Sequence, residues 1–250
     1  MISFVGAGPG AKDLITLRGR ELIENADVII YAGSLVNPEL LEYADKNAVV
    51  YDSAGMTLNE IMDIMTESHR AGKRVVRLHT GDPALYGAIA EQMEILDRSG
   101  IEYDYCPGVS SLFGAASALK KEFTVPEKSQ SLIITRITGR TPVPEKESIK
   151  SLAAHGTAMA LFLSAGKGDE LSGGLIEGGL APDTPAAIVY KATWPEEKVV
   201  YSTVGELPKA LSDNGIDKTA LIFTGEFLKS NDTRSKLYDP DFKTGCRDAK

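Results

Sequence analysis

The sequence predicts an α/β protein of two domains, the first built on a mostly parallel sheet and the second on a mixed sheet. In the first half, short apolar runs typical of strands alternate with amphipathic helical runs. Glycine-rich turns stand where strands pass into helices. After residue 119 the chain becomes polar, and two later strands are close enough for an antiparallel pair. With 250 residues, 43% of them hydrophobic, the chain can bury a sizeable core.

Hydrophobic periodicity defines the first domain, residues 1–119. The clearest helix keeps the i, i+3, i+4, i+7 spacing in Leu58, Ile61, Met62 and Met65, and Gly72 suits its C-terminal end. A first helix is predicted with Leu14, Leu17, Leu22, Ile23 and Ala26 as its apolar members. A third contains Ile89, Met93 and Leu96, and Ser110 caps a fourth that runs to Ala118. Strands are predicted at Ile2–Val5, Asp27–Tyr31, Val49–Tyr51, Arg74–His79 and Ile101–Tyr105.

A polar segment that contains Pro126 is predicted to be a linker, residues 120–130, before a second α/β domain at 131–229. Residues 230–250 are predicted to be a polar tail. Predicted strands are Leu132–Ile137, Thr157–Leu163, Ala187–Lys191, Val199–Thr203 and Ala220–Thr224. Predicted helices are Pro144–His155, which Pro144 opens and Gly156 closes, Asp169–Gly179 and Leu207–Ser212.

Charge and composition exclude several function classes. A net charge of −8 argues against a nucleic-acid surface. No apolar stretch approaches the roughly 20 residues of a membrane span. Because the sequence starts with a strand-like run and no targeting signal, a cytoplasmic location is expected.

Cysteine and histidine are sparse, so no metal site is predicted. The two cysteines, Cys106 and Cys246, form no pair with metal-ligand spacing. The three histidines are scattered. His69 and His155 are interpreted as residues at helix C-termini, where a positive charge favours the helix dipole.

The first glycine turn, Gly6 to Ala11, is close to a dinucleotide-binding fingerprint. Two features weigh against that interpretation. Pro9 removes an amide donor from the loop that should face a pyrophosphate, and the second strand, Asp27–Tyr31, ends without a carboxylate for a ribose. An NAD-dependent reductase nevertheless stays open as an alternative.

The second glycine turn, Thr80-Gly81-Asp82-Pro83, places an acid at the carboxyl end of a strand, where α/β proteins bind ligands. The Asp82 carboxylate could accept a hydrogen bond from a ribose or face a cationic group. The structural alternative is a helix N-cap, because Asp82 precedes a proline in an N1-like position.

Three motifs together, VGAGPG, TGDPALYG and PGVSS, resemble the tetrapyrrole methylase family. The resemblance covers nearly the whole chain. It implies two α/β domains, S-adenosylmethionine as methyl donor, an anionic tetrapyrrole as substrate and a homodimer. Further stretches indicate one branch of the family, which acts in corrin (cobalamin) biosynthesis: Ile30–Ala44, Thr135–Glu145, Phe162–Lys167, Tyr190–Val199 and Ser235–Pro240.

The same resemblance implies which residues bind the methyl donor. Other family members have Met and Gly where this chain has Leu163 and Ala192, so any contact there would be apolar or through main chain. From the first domain the set is Pro9, Thr80, Gly81, Asp82, Leu85, Ser110 and Ser111, and from the second it is Leu163, Ala192, Thr219 and Ala220.

A tetrapyrrole with many acetate and propionate groups needs a local reversal of the negative charge. Arg136 and Arg140, with Lys120 or Lys121, are the hypothetical carboxylate-binding residues, since arginine suits bidentate carboxylate capture. The alternative is a solvated loop face.

Methyl transfer to an electron-rich pyrrolic carbon needs alignment and exclusion of water more than a side-chain nucleophile. No base is identified, and Asp82 is the only candidate. Besides the reductase, two alternatives stay open: a methylase of the same family that acts elsewhere, and a non-catalytic tetrapyrrole chaperone.

Overall fold

The protein is described by a computed structural model that covers residues 1–229, 235, 239–243 and 245–247. Its contacts divide the chain into two compact units. Unit 1 contains Met1–Ala115 and Lys191–Glu197, and unit 2 contains Ala116–Tyr190 and the described part of Lys198–Lys250. The predicted limits of domains, linker and tail stay predictions.

Unit 1 contains a five-stranded parallel sheet with the strand order β3-β2-β4-β1-β5. Its central strands are buried on both faces, as expected for a parallel sheet covered by helices. The strands are β1 (Ile2–Gly6), β2 (Val28–Tyr31), β3 (Val49–Asp52), β4 (Val75–His79) and β5 (Tyr103–Cys106).

The helices of this part of the chain are α1 (Leu17–Glu24), α2 (Leu58–Arg70), α3 (Ala90–Arg98) and α4 (Ser111–Leu119). Because strand residues alternate between faces, the sheet separates two apolar clusters. One cluster joins Phe4 and Val75 to residues of α2 and α3, and the other joins Val5 and Leu78 to Ile23 of α1.

The predicted first helix begins later than expected. Leu14 ends a short 3-10 turn, and α1 starts only at Leu17, because the hydroxyl of Thr16 accepts a hydrogen bond from the Gly19 amide and caps the helix there. Leu17 is 88% exposed and does not belong to the apolar face. The α2 prediction is confirmed, with a capping box between Thr57 and Glu60 at its start.

Unit 2 contains a mixed five-stranded sheet with the order β6-β7-β10-β8-β9. β6 and β7 are parallel, whereas β10 pairs antiparallel with both β7 and β8, and β8 and β9 form the predicted antiparallel pair. The strands are β6 (Leu132–Arg136), β7 (Ala158–Phe162), β8 (Pro185–Tyr190), β9 (Lys198–Thr203) and β10 (Ala220–Thr224).

The helices of unit 2 are α5 (Ile149–Ala153), α6 (Gly168–Glu177) and α7 (Leu207–Asp213). The prediction that Pro144 opens a helix running to His155 is wrong. Pro144 precedes a 3-10 turn at Glu145–Glu147, and the Ser148 side chain then caps the shorter α5 by accepting from the Ser151 amide.

The predicted fold class, a parallel α/β sheet followed by a mixed one, is confirmed. None of the helices in the described residues combines the length and the apolar character that a membrane crossing requires. Half of the motif at Ser235–Pro240, residues 236–238, lies outside the described residues.

Candidate functional site

The turns after β1 and β4 meet at the carboxyl edge of the parallel sheet. The chain leaves β1 towards α1 on one face of the sheet and leaves β4 towards α3 on the other face, so the connections of these neighbouring strands lie on opposite faces. Such a switch point opens the ligand crevice of α/β sheets. Two backbone hydrogen bonds join Gly8 and Gly81 across it, at 2.8 and 3.2 Å.

Three glycines let the turns after β1, β4 and β5 pack backbone against backbone. A Cβ at Gly108 would lie 2.2 Å from the Gly81 carbonyl oxygen and 2.7 Å from the Gly6 Cα. A Cβ at Gly6 would lie 2.5 Å from the Gly108 backbone. No other residue type fits these two positions, so the motifs VGAGPG, TGDPALYG and PGVSS form one continuous backbone surface.

The Asp82 carboxylate joins the turn after β4 to the end of β5 and to the turn that follows it. Its Oδ1 accepts hydrogen bonds from the Tyr105 hydroxyl at 2.7 Å and from the Ala84 amide at 2.8 Å. Its Oδ2 accepts from the Gly108 amide at 2.9 Å. The alternative of a helix N-cap is wrong: residues 83–86 form a turn, and α3 begins only at Ala90.

These contacts set the protonation of both partners. Partial burial alone would raise the pKa of Asp82, but the hydrogen bonds from Tyr105, Ala84 and Gly108 outweigh burial and lower it below its ordinary value. Burial, followed by the hydrogen bond to the Asp82 anion, raises the pKa of Tyr105 to about 12. Asp82 is therefore ionised and a weak base, which favours a positioning role over proton abstraction.

Pro9 and Gly10 of the first turn contact the segment Lys191–Glu197, which the sequence analysis did not connect with them. The Trp194 indole Nε1 donates to the Pro9 carbonyl oxygen at 3.2 Å, and a Cβ at Gly10 would lie 2.1 Å from the indole ring. The Thr193 hydroxyl accepts from the Ala11 amide at 3.0 Å. Trp194 is a residue that sequence reasoning missed, because its partners are more than 180 positions away.

Ala192 belongs to this segment and therefore groups with unit 1, whereas the sequence analysis took it from the second domain. Thr80 and Leu85 flank Asp82 in the turn after β4, and the Leu85 amide donates to the Asp82 carbonyl oxygen at 3.2 Å. The Ser110 hydroxyl accepts from the Leu112 amide at 3.2 Å at the start of α4, as its predicted capping role requires.

Leu163, Thr219 and Ala220 lie in unit 2, at one end of the β7–β10 pair. Leu163 directly follows β7, and Ala220 begins its antiparallel neighbour β10. Leu163 has a φ of 52° and is 68% exposed, and Thr219 has a φ of 55°. Residues other than glycine rarely adopt this backbone conformation, and residues with such strain are often found at binding sites.

The predicted carboxylate-binding residues all lie in unit 2, with different surroundings. The Arg136 guanidinium donates to the Thr141 and Pro142 carbonyl oxygens at 3.0 and 3.1 Å, so it holds its own loop. The Lys121 ammonium donates to the Lys229 carbonyl oxygen at 2.7 Å. Arg140 and Lys120 are exposed. No group of three or more metal-ligating side chains occurs in the described ranges.

The parallel sheet with a switch point at its carboxyl edge is typical of α/β proteins that bind ligands at this edge. The family model for Tetrapyrrole (Corrin/Porphyrin) Methylases matches residues 1–208. The chain belongs to this family.

Individual members of the family are similar to this chain over most of its length. The chain is 53% identical to the cobalt-precorrin-4 C(11)-methyltransferase of Methanocaldococcus jannaschii, over 97% of this chain and 94% of the relative. The X-ray structure of a cobalt precorrin-4 methyltransferase superposes with a TM-score of 0.89 at 47% identity, covering 92% of this chain and 96% of that one. The uroporphyrin-III C-methyltransferase of Thermus thermophilus, solved with S-adenosylhomocysteine, has a TM-score of 0.77 at 25% identity, covering 91% and 98%.

Proposed function

We propose that this chain transfers a methyl group from S-adenosylmethionine to C-11 of cobalt-precorrin-4 in cobalamin biosynthesis. The observation that carries the proposal is the 53% identity to a relative of that name over nearly the full length of both chains. Both that relative and the solved structure at 47% identity are named for the cobalt-containing substrate. Metal-free precorrin-4 is the alternative substrate, and the experiment compares the two forms.

On the family resemblance we propose that the following residues bind the methyl donor. The contributing residues of unit 1 are Pro9, Thr80, Gly81, Asp82, Leu85, Ser110, Ser111 and Ala192. Those of unit 2 are Leu163, Thr219 and Ala220. The close packing of Gly6, Gly81 and Gly108 supports this assignment, because it brings the turns after β1, β4 and β5 together at the carboxyl edge of the sheet.

The donor supplies a methyl group on a positively charged sulfur, and the pyrrolic carbon of the substrate supplies the electron pair. The protein's contribution is alignment and the exclusion of water. Asp82, held by three donors, keeps the turns after β4 and β5 in register. This chain therefore needs no nucleophilic side chain for the transfer.

A methylase of the same family that acts at another ring position is the second candidate, and the relative solved with S-adenosylhomocysteine is one that acts on uroporphyrin-III. A homodimer and a cytoplasmic location are further proposals, which rest on the family resemblance alone. Size-exclusion chromatography with light scattering tests the dimer.

The decisive experiment incubates the purified chain with cobalt-precorrin-4 and S-adenosylmethionine labelled with carbon-13 in its methyl group. We expect one labelled methyl per product molecule by mass spectrometry, and a carbon-13 NMR signal assigned to C-11. A parallel reaction with metal-free precorrin-4 measures the preference for cobalt. A label at another ring carbon supports the second candidate, and tetrapyrrole binding without a label supports the chaperone alternative.

A further inference from the structure

A cavity of about 280 Å³ lies beside the turn after β4 in unit 1, and it contains two buried basic side chains. Arg77 and His79 both line it and are each 4% exposed. They stand two residues apart on β4, so they share the face of the sheet that α2 and α3 cover.

Arg77 is a buried cation without a carboxylate partner in the part of the chain that the structure describes. Its Nε donates to the Gln92 side-chain oxygen and its Nη1 to the Ile30 carbonyl oxygen, both at 3.2 Å. Neither partner is charged, and Nη2 makes no hydrogen bond to the described residues. Burial lowers the pKa of Arg77 to about 10, so the group still carries its charge at neutral pH.

His79 adds a second unsatisfied group to the same cavity. Its Nε2 is fully buried and has no hydrogen-bond partner among the described residues. A buried charge without a counter-ion and a buried polar atom without a hydrogen-bond partner are both costly, and proteins retain such groups where a ligand completes them. Both groups can donate to an anion.

The walls of the cavity suit a short acid arm rather than a whole ring. Its volume lies just below the roughly 300–1,000 Å³ typical of ligand pockets. Its lining includes the loop of Tyr86 and Ala88, whose φ angles of 59° and 49° are strained. One acid, the exposed Glu91, stands at the rim. The apolar side is Leu35, Met56, Leu58 and Ile61.

We infer that the Arg77–His79 cavity is a carboxylate subsite in which both side chains donate charge-assisted hydrogen bonds to one carboxylate. The inference rests on the proposed function for the identity of the occupant. An acetate or propionate arm of the tetrapyrrole fits best, because its methylenes match the apolar side. The amino-acid carboxylate of the methyl donor is the other source, but it carries an ammonium group that Arg77 would repel.

The test measures the KM for the tetrapyrrole and the dissociation constant for S-adenosylhomocysteine separately. The variants are His79→Leu and Arg77→Met, together with the conservative variants His79→Gln and Arg77→Lys. We expect His79→Leu and Arg77→Met to raise the KM for the tetrapyrrole by about 10-fold or more while kcat changes less. The dissociation constant for S-adenosylhomocysteine, measured by calorimetry, should stay within about twofold of the unmodified chain. His79→Gln and Arg77→Lys, which keep a donor, should recover part of the loss.

The matched control is His69→Gln. His69 also has a buried ring nitrogen without a partner in the described residues, but it lies in the last turn of α2 and does not line the cavity. A rise in the dissociation constant for S-adenosylhomocysteine alone would keep the carboxylate subsite and assign it to the donor. Unchanged constants for both ligands in folded His79→Leu and folded Arg77→Met would overturn the inference. The proposed function fails separately, when the unmodified chain yields no methylated product.

Discussion

The Tyr105 hydroxyl donates a 2.7 Å hydrogen bond to the carboxylate of Asp82, across 23 positions of the chain. This contact joins the end of β5 to the turn after β4, so it holds together two of the three glycine turns. Because burial and the neighbouring anion raise the pKa of Tyr105 to about 12, the hydroxyl stays a donor throughout the neutral range.

We expect Tyr105→Phe to weaken binding of S-adenosylhomocysteine several-fold and to lower the free energy of unfolding by about 1–2 kcal/mol, since one partly buried hydrogen bond to a carboxylate is lost. Calorimetric titration and thermal unfolding measure the two effects. Tyr103→Phe, on the same strand, removes a hydroxyl without touching Asp82 and should bind as the unmodified chain does. Equal effects of both variants would argue against the role of the Tyr105–Asp82 contact.

Asp82→Asn separates a positioning role from a catalytic one. The Asn amide can accept from only one side, so either the Gly108 amide or the Tyr105 hydroxyl and the Ala84 amide together face an NH₂ group. We expect a loss of about 2–3 kcal/mol in the free energy of unfolding and weaker donor binding. The pH profile of kcat should keep its shape. A kcat that falls while donor binding and stability hold would instead support Asp82 as a base.

Gly108→Ala tests the packing of the turns. Its Cβ would stand 2.2 Å from the Gly81 carbonyl oxygen, so the turns after β4 and β5 must separate. We expect donor binding to fall below detection and the melting temperature to drop by several degrees. Gly173→Ala is the matched control, because its Cβ meets nothing within 4 Å inside α6. A Gly108→Ala chain that binds the donor normally would contradict the proposal that the donor binds at these turns.

Burial of His79 is expected to lower the free energy of unfolding at acid pH. Burial, followed by repulsion from Arg77, lowers its pKa to about 3, from about 6.5 in an unfolded chain. Between these values the unfolded state binds more protons, so stability falls as the pH falls from about 6.5 towards 3. This one group costs about 2 kcal/mol at pH 5 relative to neutral pH.

Chemical unfolding between pH 4 and pH 7 measures this effect. His79→Gln should flatten the fall of the free energy of unfolding, whereas His155→Gln, at an exposed position, should leave the slope as it is. A slope that does not change in His79→Gln would show that another group is responsible.

Arg140→Ala is the cleaner test of the predicted carboxylate-binding cluster. We expect a several-fold rise in the KM for the tetrapyrrole with donor binding unchanged. Arg136→Ala should also lower stability, since it removes the hydrogen bonds to Thr141 and Pro142. If Arg140→Ala leaves the KM unchanged, the cluster is a solvated loop face.

The sequence predicted best where the signal is local. The spacing of Leu58, Ile61, Met62 and Met65 defined α2, and the alternation of strands and helices defined the parallel sheet. Helix ends were less reliable: Thr16 and Ser148 start α1 and α5 later than the apolar pattern indicates. A single capping side chain decides such a boundary, and periodicity does not report it.

By itself, the sequence determined the two α/β sheets, the family and the glycine turns, because each depends on residues within a few positions of one another. Tertiary structure decided what the polar side chains do. Asp82 became a bridge through Tyr105. Arg77 became a buried cation whose hydrogen-bond partners are neutral, and the His79 Nε2 became a buried atom with no partner among the described residues. The physical reason is that burial and hydrogen bonding are set by neighbours that the fold brings together from distant parts of the chain.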